Sequence, residues 1–375
     1  MLPRLCWVFL MIVLSGVSFC QSTEQKLQSI LDSVFQANPS AIGILAHIEA
    51  PEMNISWSGA AGHSEKGAEN ILEVDDPALI ASCIKTYVSA AILRLVEEGG
   101  LSLSEPISPL LTDRSRQLFD SDGYDLNSIQ VQHLLSHTSG VNDYVSDEYL
   151  TMIEEDKSHR WTKNEQLELA ISSGDPLAEP GKLFDYADAN YLLLAEIIEN
   201  KTSKPYYTSI RQLLKFDELE FSDSWFPTLE ERPAETNHLV HQYWTDQNWD
   251  SYDIDVSFDL YGGGGMATTA EDLADFGYHL FHGDIIEDEE VLNSIYTDIS
   301  TAEGRFSPYY LGLSEDSYHG MKGYGHGGFW GTVFLYFPDL DASVSVFVLE
   351  RDKRKLRRDI LGAVTAHLKK SIAKK

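Results

Sequence analysis

The chain has 375 residues, 43% of them hydrophobic and 23% charged, a balance that supports a large packed core or two lobes and excludes disorder on a large scale. Against 28 lysines and arginines stand 59 aspartates and glutamates, a formal net charge of −31. Such a surface repels nucleic acid and anionic membranes, so neither is an expected partner.

The chain opens with Arg4, an apolar run from Leu5 to Leu14 and smaller residues through Ser18 to Cys20, the three regions of a secretory signal peptide. Residues 1–20 are therefore expected to direct export, to the periplasm or the medium. The apolar run is too short for a comfortable bilayer crossing, and no later stretch is long and apolar enough, so no stable membrane span is expected. Cys20 raises lipid attachment, but Phe19 precedes it where a small residue is wanted, and cleavage near Cys20-Gln21 is the favoured reading. With Cys6 and Cys20 removed, Cys83 stands alone and no disulfide can form within the mature chain.

From Thr23 to Ala37, Leu27, Ile30, Leu31, Val34 and Phe35 recur at helical spacing, and Asn38-Pro39 ends the helix. Two strand-like runs follow, Ala41 to Glu49 and Asn54 to Ala61, then a polar loop from Gly62 to Pro77 that delivers the chain to Ser82. In the predicted helix beyond it, Ile84, Val88, Ala91, Ile92, Leu95 and Val96 share a face, and Gly99-Gly100 stops it. Residues three apart on a helix are neighbours, so Ser82 and Lys85 place a hydroxyl beside a candidate base, which is what an acylating serine needs. The spacing is weak by itself, because Ser371-Ile372-Ala373-Lys374 repeats it at the chain end. Cys83 reads as a small buried thiol.

His133 and His137 are four apart, as metal ligands can be, but no glutamate stands beside them and no third ligand is evident. Capping and loop roles are expected for them, and neither a metal nor a cofactor is. Residues 161–172 read as a helix. Tyr186 stands on a loop just before the helical run Leu192 to Glu199, a place for a fixed phenol that packs or passes a proton. Tyr243, Trp244, Trp249, Tyr252, Phe258 and Tyr261 either line a cleft or cover a lobe. Gly262 to Gly265 implies a close backbone approach or a hinge, and Thr269 with Asp272 caps a helix through Leu280. Thr332 to Phe337 and Ala342 to Glu350 form a hairpin about Pro338-Asp339. A helix from Lys353 to Lys370 closes the chain, its cations reading as a solvated face. Strands at both ends with helices between them predict an α+β fold: an antiparallel sheet flanked by N- and C-terminal helices, with an inserted mainly helical lobe. Residues 22–76 and 300–375 would form the α/β lobe, and 77–299 the inserted lobe.

Ser82-x-x-Lys85, Tyr186-x-Asp188 and His326-x-Gly328, in this order and at these separations, resemble the serine β-lactamase and penicillin-binding-protein superfamily. The flanking text, Lys85-Thr86, Leu95 to Gly99, His133 to Gly140, Asn190 to Leu194 and Gly264 to Leu273, is similar to its class C-like branch, which also holds D-Ala-D-Ala carboxypeptidases, D-aminopeptidases and esterases. Tyr296-x-Asp298 repeats the tyrosine pattern, so the weight lies on several motifs in register. The resemblance implies that Ser82 is the nucleophile and that Lys85 and Tyr186 share the base and acid roles, with the order between them open. It implies an oxyanion hole from the backbone N–H groups of Ser82 and Phe329, and substrate contacts from Asp188, His326, Gly328 and Phe329. Asp188 stands where the family usually has Asn; an ionised carboxylate only accepts hydrogen bonds, which favours a substrate N–H or cationic amine over a penicillin. His326 stands where many relatives carry lysine, with glycines beside it to clear room for a ligand. The expectation is an exported serine hydrolase that cleaves a small amide or ester, free or in a peptide, through a covalent acyl-enzyme. The alternative is a non-catalytic descendant whose cleft binds a cell-wall peptide or a protein.

Overall fold

The computed structural model describes residues 22–299 and 308–372. The signal-like segment with Cys6 and Cys20, and Lys374 of the C-terminal Ser-x-x-Lys repeat, lie outside the described residues. Helix α1 (Thr23–Gln36) starts at a reciprocal capping box between Ser22 and Gln25, which satisfies two backbone donors that the first turn leaves over. It leads into β1 (Gly43–Ala50) and β2 (Ile55–Gly62). Four strands from the other end complete the sheet: β3 (Ser314–Tyr318), β4 (Met321–Gly327), β5 (Thr332–Phe337) and β6 (Ala342–Val348). The order is β2-β1-β6-β5-β4-β3 with every pair antiparallel, so the two chain ends meet where β1 pairs with β6.

Side chains alternate across a strand, and both faces of this sheet are covered. Ile44, Ala46, Ile48 and Ala50 of β1 pack with Val344, Val346 and Val348 of β6 under α1 and the C-terminal helix Leu356–Ile372. Leu45, Phe334 and Phe347 point the other way into the larger core that the helical region shares. Burial on both faces explains why β6 reads as an almost continuous apolar run. Its two serines are also buried, and Ser345 Oγ donates to the Ala270 carbonyl.

Three helices of the middle segment carry the rest of the argument: α2 (Ile84–Glu97), α3 (Ala189–Thr202) and α4 (Ala270–His282). The pattern of α2 is amphipathic, yet the polar Lys85, Thr86 and Ser89 of its first half are buried as well. Thr86 and Ser89 donate to the carbonyls of Gly312 and Leu311, at 2.9 and 2.7 Å, and that loop closes over the side the pattern would leave to solvent. Gly312 has φ +76°, and a Cβ there would stand 2.7 Å from the Ser89 side chain, so only glycine fits. Although α4 lies in the middle segment, it crosses β1, β6 and β5 and forms the layer opposite α1. Helix Lys163–Ser172 follows the expected range closely, whereas Asp113–Ser121, Asp147–Glu155 and Tyr206–Leu213 carry too few regularly spaced apolar residues to announce themselves. Among the described residues no helix is long and apolar enough to cross a membrane.

The Thr269 hydroxyl accepts the Asp272 N–H at 3.1 Å and starts α4, as its spacing predicts. Thr269→Ala is expected to lower stability by about 1 kcal/mol in urea unfolding, and Thr269→Ser by much less, since serine caps equally well.

Candidate active site

Ser82 sits in a single tight turn, Ala81–Cys83, at the head of α2. Ala81 has φ +46°, a left-handed conformation that costs a residue with a Cβ roughly 1–2 kcal/mol and is held by its surroundings. Thr332 Oγ1 donates to the Ile80 carbonyl at 2.9 Å, and the Cys83 thiol donates to the His326 carbonyl at 3.2 Å. Both bonds tie the turn to β4 and β5. Burial pushes the Cys83 thiol up to about 12, so it stays protonated at neutral pH and is no rival nucleophile.

Lys85 is fully buried, and its ammonium has three neighbours. Its Nζ lies 3.0 Å from Ser82 Oγ, 2.6 Å from the Gly263 carbonyl and 2.5 Å from Asp188 Oδ1. The first two are hydrogen bonds and the third is an ion-pair contact. Burial works against its charge, but the Asp188 carboxylate, with Tyr186 and Asp259 behind it, outweighs burial and holds the pKa above the ordinary lysine value. The Tyr186 phenol reaches both Lys85 and Ser82. Burial raises its pKa in spite of the opposing pull of Lys85, so the resting site holds a lysinium and a neutral phenol.

Two aspartates that carry no motif stand beside Asp188. Asp143 Oδ1 accepts the Asp188 N–H at 2.9 Å and so caps the start of α3. Burial and the Asp188 charge raise its pKa well above the usual range. Asp259 is raised to about 8 by burial and then by Asp188, with Lys85 opposing. The glycine run faces this cluster: a Cβ on Gly264 would stand 2.2 Å from the Asp259 carboxyl, and one on Gly262 would stand 2.6 Å from the Tyr191 carbonyl. The close-approach reading of that run therefore holds, with a carboxylate as the thing approached.

Ser82, Tyr186, Asp188, Asp259, Gly328 and Phe329 line one cleft of about 300 Å³, with Val145, Leu150 and Phe258 as apolar walls. Among the described residues the backbone N–H groups of Ser82 and Phe329 have no acceptor, as an oxyanion hole requires. Arg354 and Arg357 also line the cleft, which corrects the reading of the C-terminal cations as a solvated face. Arg357 turns inward because its guanidinium donates to the Thr332 carbonyl at the edge of β5.

His326 is placed differently from its expected role. It is 6% exposed and does not line the cleft; Nδ1 lies 2.9 Å from the Gly327 carbonyl and Nε2 3.1 Å from the Tyr309 hydroxyl, so both ring nitrogens are used within the protein. Burial, then Lys85, lowers its pKa to about 3, and a neutral ring replaces no lysine charge. Gly328 does line the cleft, but a Cβ there would stand 2.2 Å from both the Ile80 carbonyl and Thr332 Oγ1, so it clears room for the Ser82 turn and not for a ligand.

His137, expected in a loop role, lies beneath Tyr186, with ring centroids 4.1 Å apart. Its Nδ1 accepts from the Ala187 N–H at 3.1 Å and from Asn190 Nδ2 at 3.3 Å, which leaves the proton on Nε2. That N–H donates to the Tyr309 oxygen at 3.2 Å, and the Tyr309 O–H donates to His326 Nε2. Ser139 donates to Asn190 Oδ1 at 2.6 Å and completes the frame. Residues 133–140, read as a family signature, are thus the buttress under the phenol. Tyr309 is invisible in the sequence because nothing local marks it.

A family model described as Beta-lactamase matches residues 53–366. Protein flp of Staphylococcus aureus (strain COL) is 27% identical over 187 residues, which cover 49% of this chain and 31% of that protein. Penicillin-binding protein 4* of Bacillus subtilis (strain 168) is 21% identical over 313 residues, covering 80% of this chain and 63% of that protein. The chain thus spans less than two thirds of the length of either relative. Among solved structures, D-amino acid amidase from Ochrobactrum anthropi SV3, complexed with L-phenylalanine amide, superposes with a TM-score of 0.76 at 23% identity, over 91% of this chain and 97% of that one. At that identity the likeness shows the fold.

Tyr309→Phe would leave a buried imidazole donor on His137 and an acceptor on His326 without partners. The expected cost is about 1–3 kcal/mol in equilibrium unfolding.

Proposed function

Because the chain belongs to the Beta-lactamase family, we propose that it is an exported serine hydrolase that cleaves a small amide or ester bearing a free amino group, through an acyl-enzyme on Ser82. The observation that carries the chemistry is the contact of Lys85 Nζ with Ser82 Oγ at 3.0 Å, with the Tyr186 phenol reaching both. In the fraction of molecules whose Lys85–Tyr186 pair has first lost one proton to solvent, Ser82 Oγ would attack the carbonyl carbon while its own proton refills the pair, which titrates as a unit. The N–H groups of Ser82 and Phe329 would hold the oxyanion. As the carbonyl re-forms and the bond to the leaving nitrogen or oxygen breaks, the pair returns the proton to the leaving group, and water then releases the acid and restores Ser82. No metal or cofactor enters these steps.

The amino-group preference is supported by charge. Asp188 and Asp259 both line the cleft, with Asp143 behind; Lys85 opposes the charge of Asp143 and Asp259, while Arg354 and Arg357 line other parts of the same cleft. A substrate ammonium at that wall would favour the ionised form of Asp259, and a penicillin brings no such group. The name of the structural neighbour, an amidase of D-amino acids, supports an amide substrate class. Export is supported by the signal-like residues 1–20.

A fluorophosphonate is expected to label Ser82 and to leave Ser82→Ala unlabelled, read by peptide mass. A folded sample that no fluorophosphonate or labelled penicillin modifies would instead support the binding-only descendant. Among amino acid amides and esters of both hands, N-acetylation is expected to cut kcat/KM by about 10-fold or more, as loss of a charged contact does. Equal rates would remove the acidic wall from recognition.

The pH dependence follows from Lys85. Its pKa is raised, so the neutral amine that can accept a proton is gained as pH rises, and kcat/KM should climb on the alkaline side. Asp188→Asn removes the charge that opposes burial most strongly, and the rising limb is expected to move to lower pH by about 1–3 pH units. A limb that stays in place would assign the proton acceptor elsewhere.

A further inference from the structure

On the sheet face away from α1, His47 and Glu49 follow Leu45 by strand alternation and point toward α4, where Asp275 meets them. His47 Nε2 lies 3.4 Å from Glu49 Oε2 and 3.7 Å from Asp275 Oδ1, and the three atoms all lie within 4.8 Å of one another. These separations exceed the usual 2.7–3.2 Å of an N–H···O bond. The two His47 separations are near the roughly 3.3–3.5 Å between two ligand atoms on a tetrahedral ion with bonds of about 2.0–2.2 Å. From this geometry we propose that His47, Glu49 and Asp275 form a binding site for a divalent transition cation, Zn²⁺ by its ligand chemistry, that clamps α4 to β1.

Three further observations point to a cation. The His47 ring is 1% exposed and is oriented by its other nitrogen, Nδ1, which lies 2.7 Å from the hydroxyl of Ser58, its cross-strand partner on β2. This is the outer hydrogen bond that fixes the tautomer of a metal-ligating imidazole and turns its free nitrogen toward the ion. Asp275 Oδ1 is shielded from solvent and has no hydrogen-bond donor. Ser343, fully buried on β6 at the position paired with Glu49, also has a hydroxyl without a partner.

The donor set decides the metal class. One imidazole nitrogen with two carboxylates suits Zn²⁺, or Mn²⁺ less tightly, whereas Mg²⁺ and Ca²⁺ favour all-oxygen shells. Asp275 and Glu49 are partly exposed, so the cluster lies close to the surface. The site is separate from the Ser82 cleft, none of whose lining residues it shares. It would brace α4, the helix that follows the glycine run whose Gly263 carbonyl receives Lys85.

The experiment uses the untagged full chain, stripped with EDTA and dialysed, then titrated with ZnCl₂, MnCl₂, MgCl₂ and CaCl₂ by calorimetry and by thermal melting. The expected result is one tight equivalent of Zn²⁺, weaker Mn²⁺, no comparable Mg²⁺ or Ca²⁺ binding, and a melting temperature that rises with Zn²⁺. His47→Gln and Asp275→Asn should abolish the tight equivalent, and Ser58→Ala should weaken it by about 10- to 100-fold, the usual cost of a lost outer-shell partner. Far-UV and near-UV circular dichroism establish that each variant is folded; should His47→Gln not fold, Glu49→Gln carries the same expectation. Absence of a tight Zn²⁺ equivalent in the wild type would mean that the cluster is an imidazole–carboxylate ion pair only, and would overturn the proposal. Unchanged Zn²⁺ affinity in the folded variants would place the ion elsewhere and overturn it as well.

Discussion

A lysine ammonium with no access to solvent has to be surrounded by acceptors, and much of this molecule is arranged to supply them to Lys85. Its three partners come from three separate parts of the chain: Ser82 from the turn that starts α2, Asp188 from the start of α3, and the Gly263 carbonyl from the glycine run ahead of α4. Losing the Asp188 carboxylate would leave the buried charge without its counter-charge, and the positions of those elements are coupled through a single nitrogen. The same requirement explains the backbone around it. Ala81 takes a left-handed conformation at the head of α2, and Gly312 and Gly262 have positive φ where the chain passes close to α2 and to α3 respectively.

The buried charge also sets the electrostatics of the cleft. Asp188 is 2.5 Å from Lys85 and compensates it, yet Asp143 and Asp259 add more negative charge than one lysine can balance. The consequence is a pair of aspartates whose ionisation is suppressed in the resting protein and would be restored by a cation entering the cleft. Asparagine in place of Asp188 would leave a different site, with an amide donor and a lysine closer to neutrality. The departure from the usual family residue is therefore an electrostatic change at Lys85 itself, in addition to a change in what faces the cleft.

Periodicity and capping made the outer elements legible. Ser22 with Gln25, Thr269 with Asp272, and the runs that became β1, β2, β5 and β6 all signal through residues within a few positions of one another. Ser82, Lys85, Tyr186 and Asp188 were legible through spacing and resemblance together, and the fold brings Ser82, Tyr186 and Asp188 to one cleft with Lys85 buried against them. Asp259, Asp143, Tyr309 and Arg357 were not, because what gives each its role is a contact across the fold: Asp143 meets Asp188 across 45 residues, and Tyr309 meets His137 across 172. His326 shows the opposite failure. Its motif position was readable, but the direction of its ring depends on the Tyr309 hydroxyl and the Gly327 carbonyl, neither of which the motif specifies.

The network behind Tyr186 suggests why a buried phenol can serve next to a buried lysine. His137 and His326 are both held neutral by burial, and the Ala187 N–H, the Tyr309 hydroxyl and the Gly327 carbonyl leave each ring one tautomer. Protonated imidazoles there would place positive charge beside Lys85, driving its pKa down and pulling the Tyr186 proton off at rest. Neutral rings with satisfied nitrogens provide a stiff and uncharged support, with the His137 face stacked on the phenol. The proton inventory of the site is thereby confined to Ser82, Lys85, Tyr186 and the three aspartates. A proton taken from Ser82 would then have few places to go besides the pair that must return it to the leaving group.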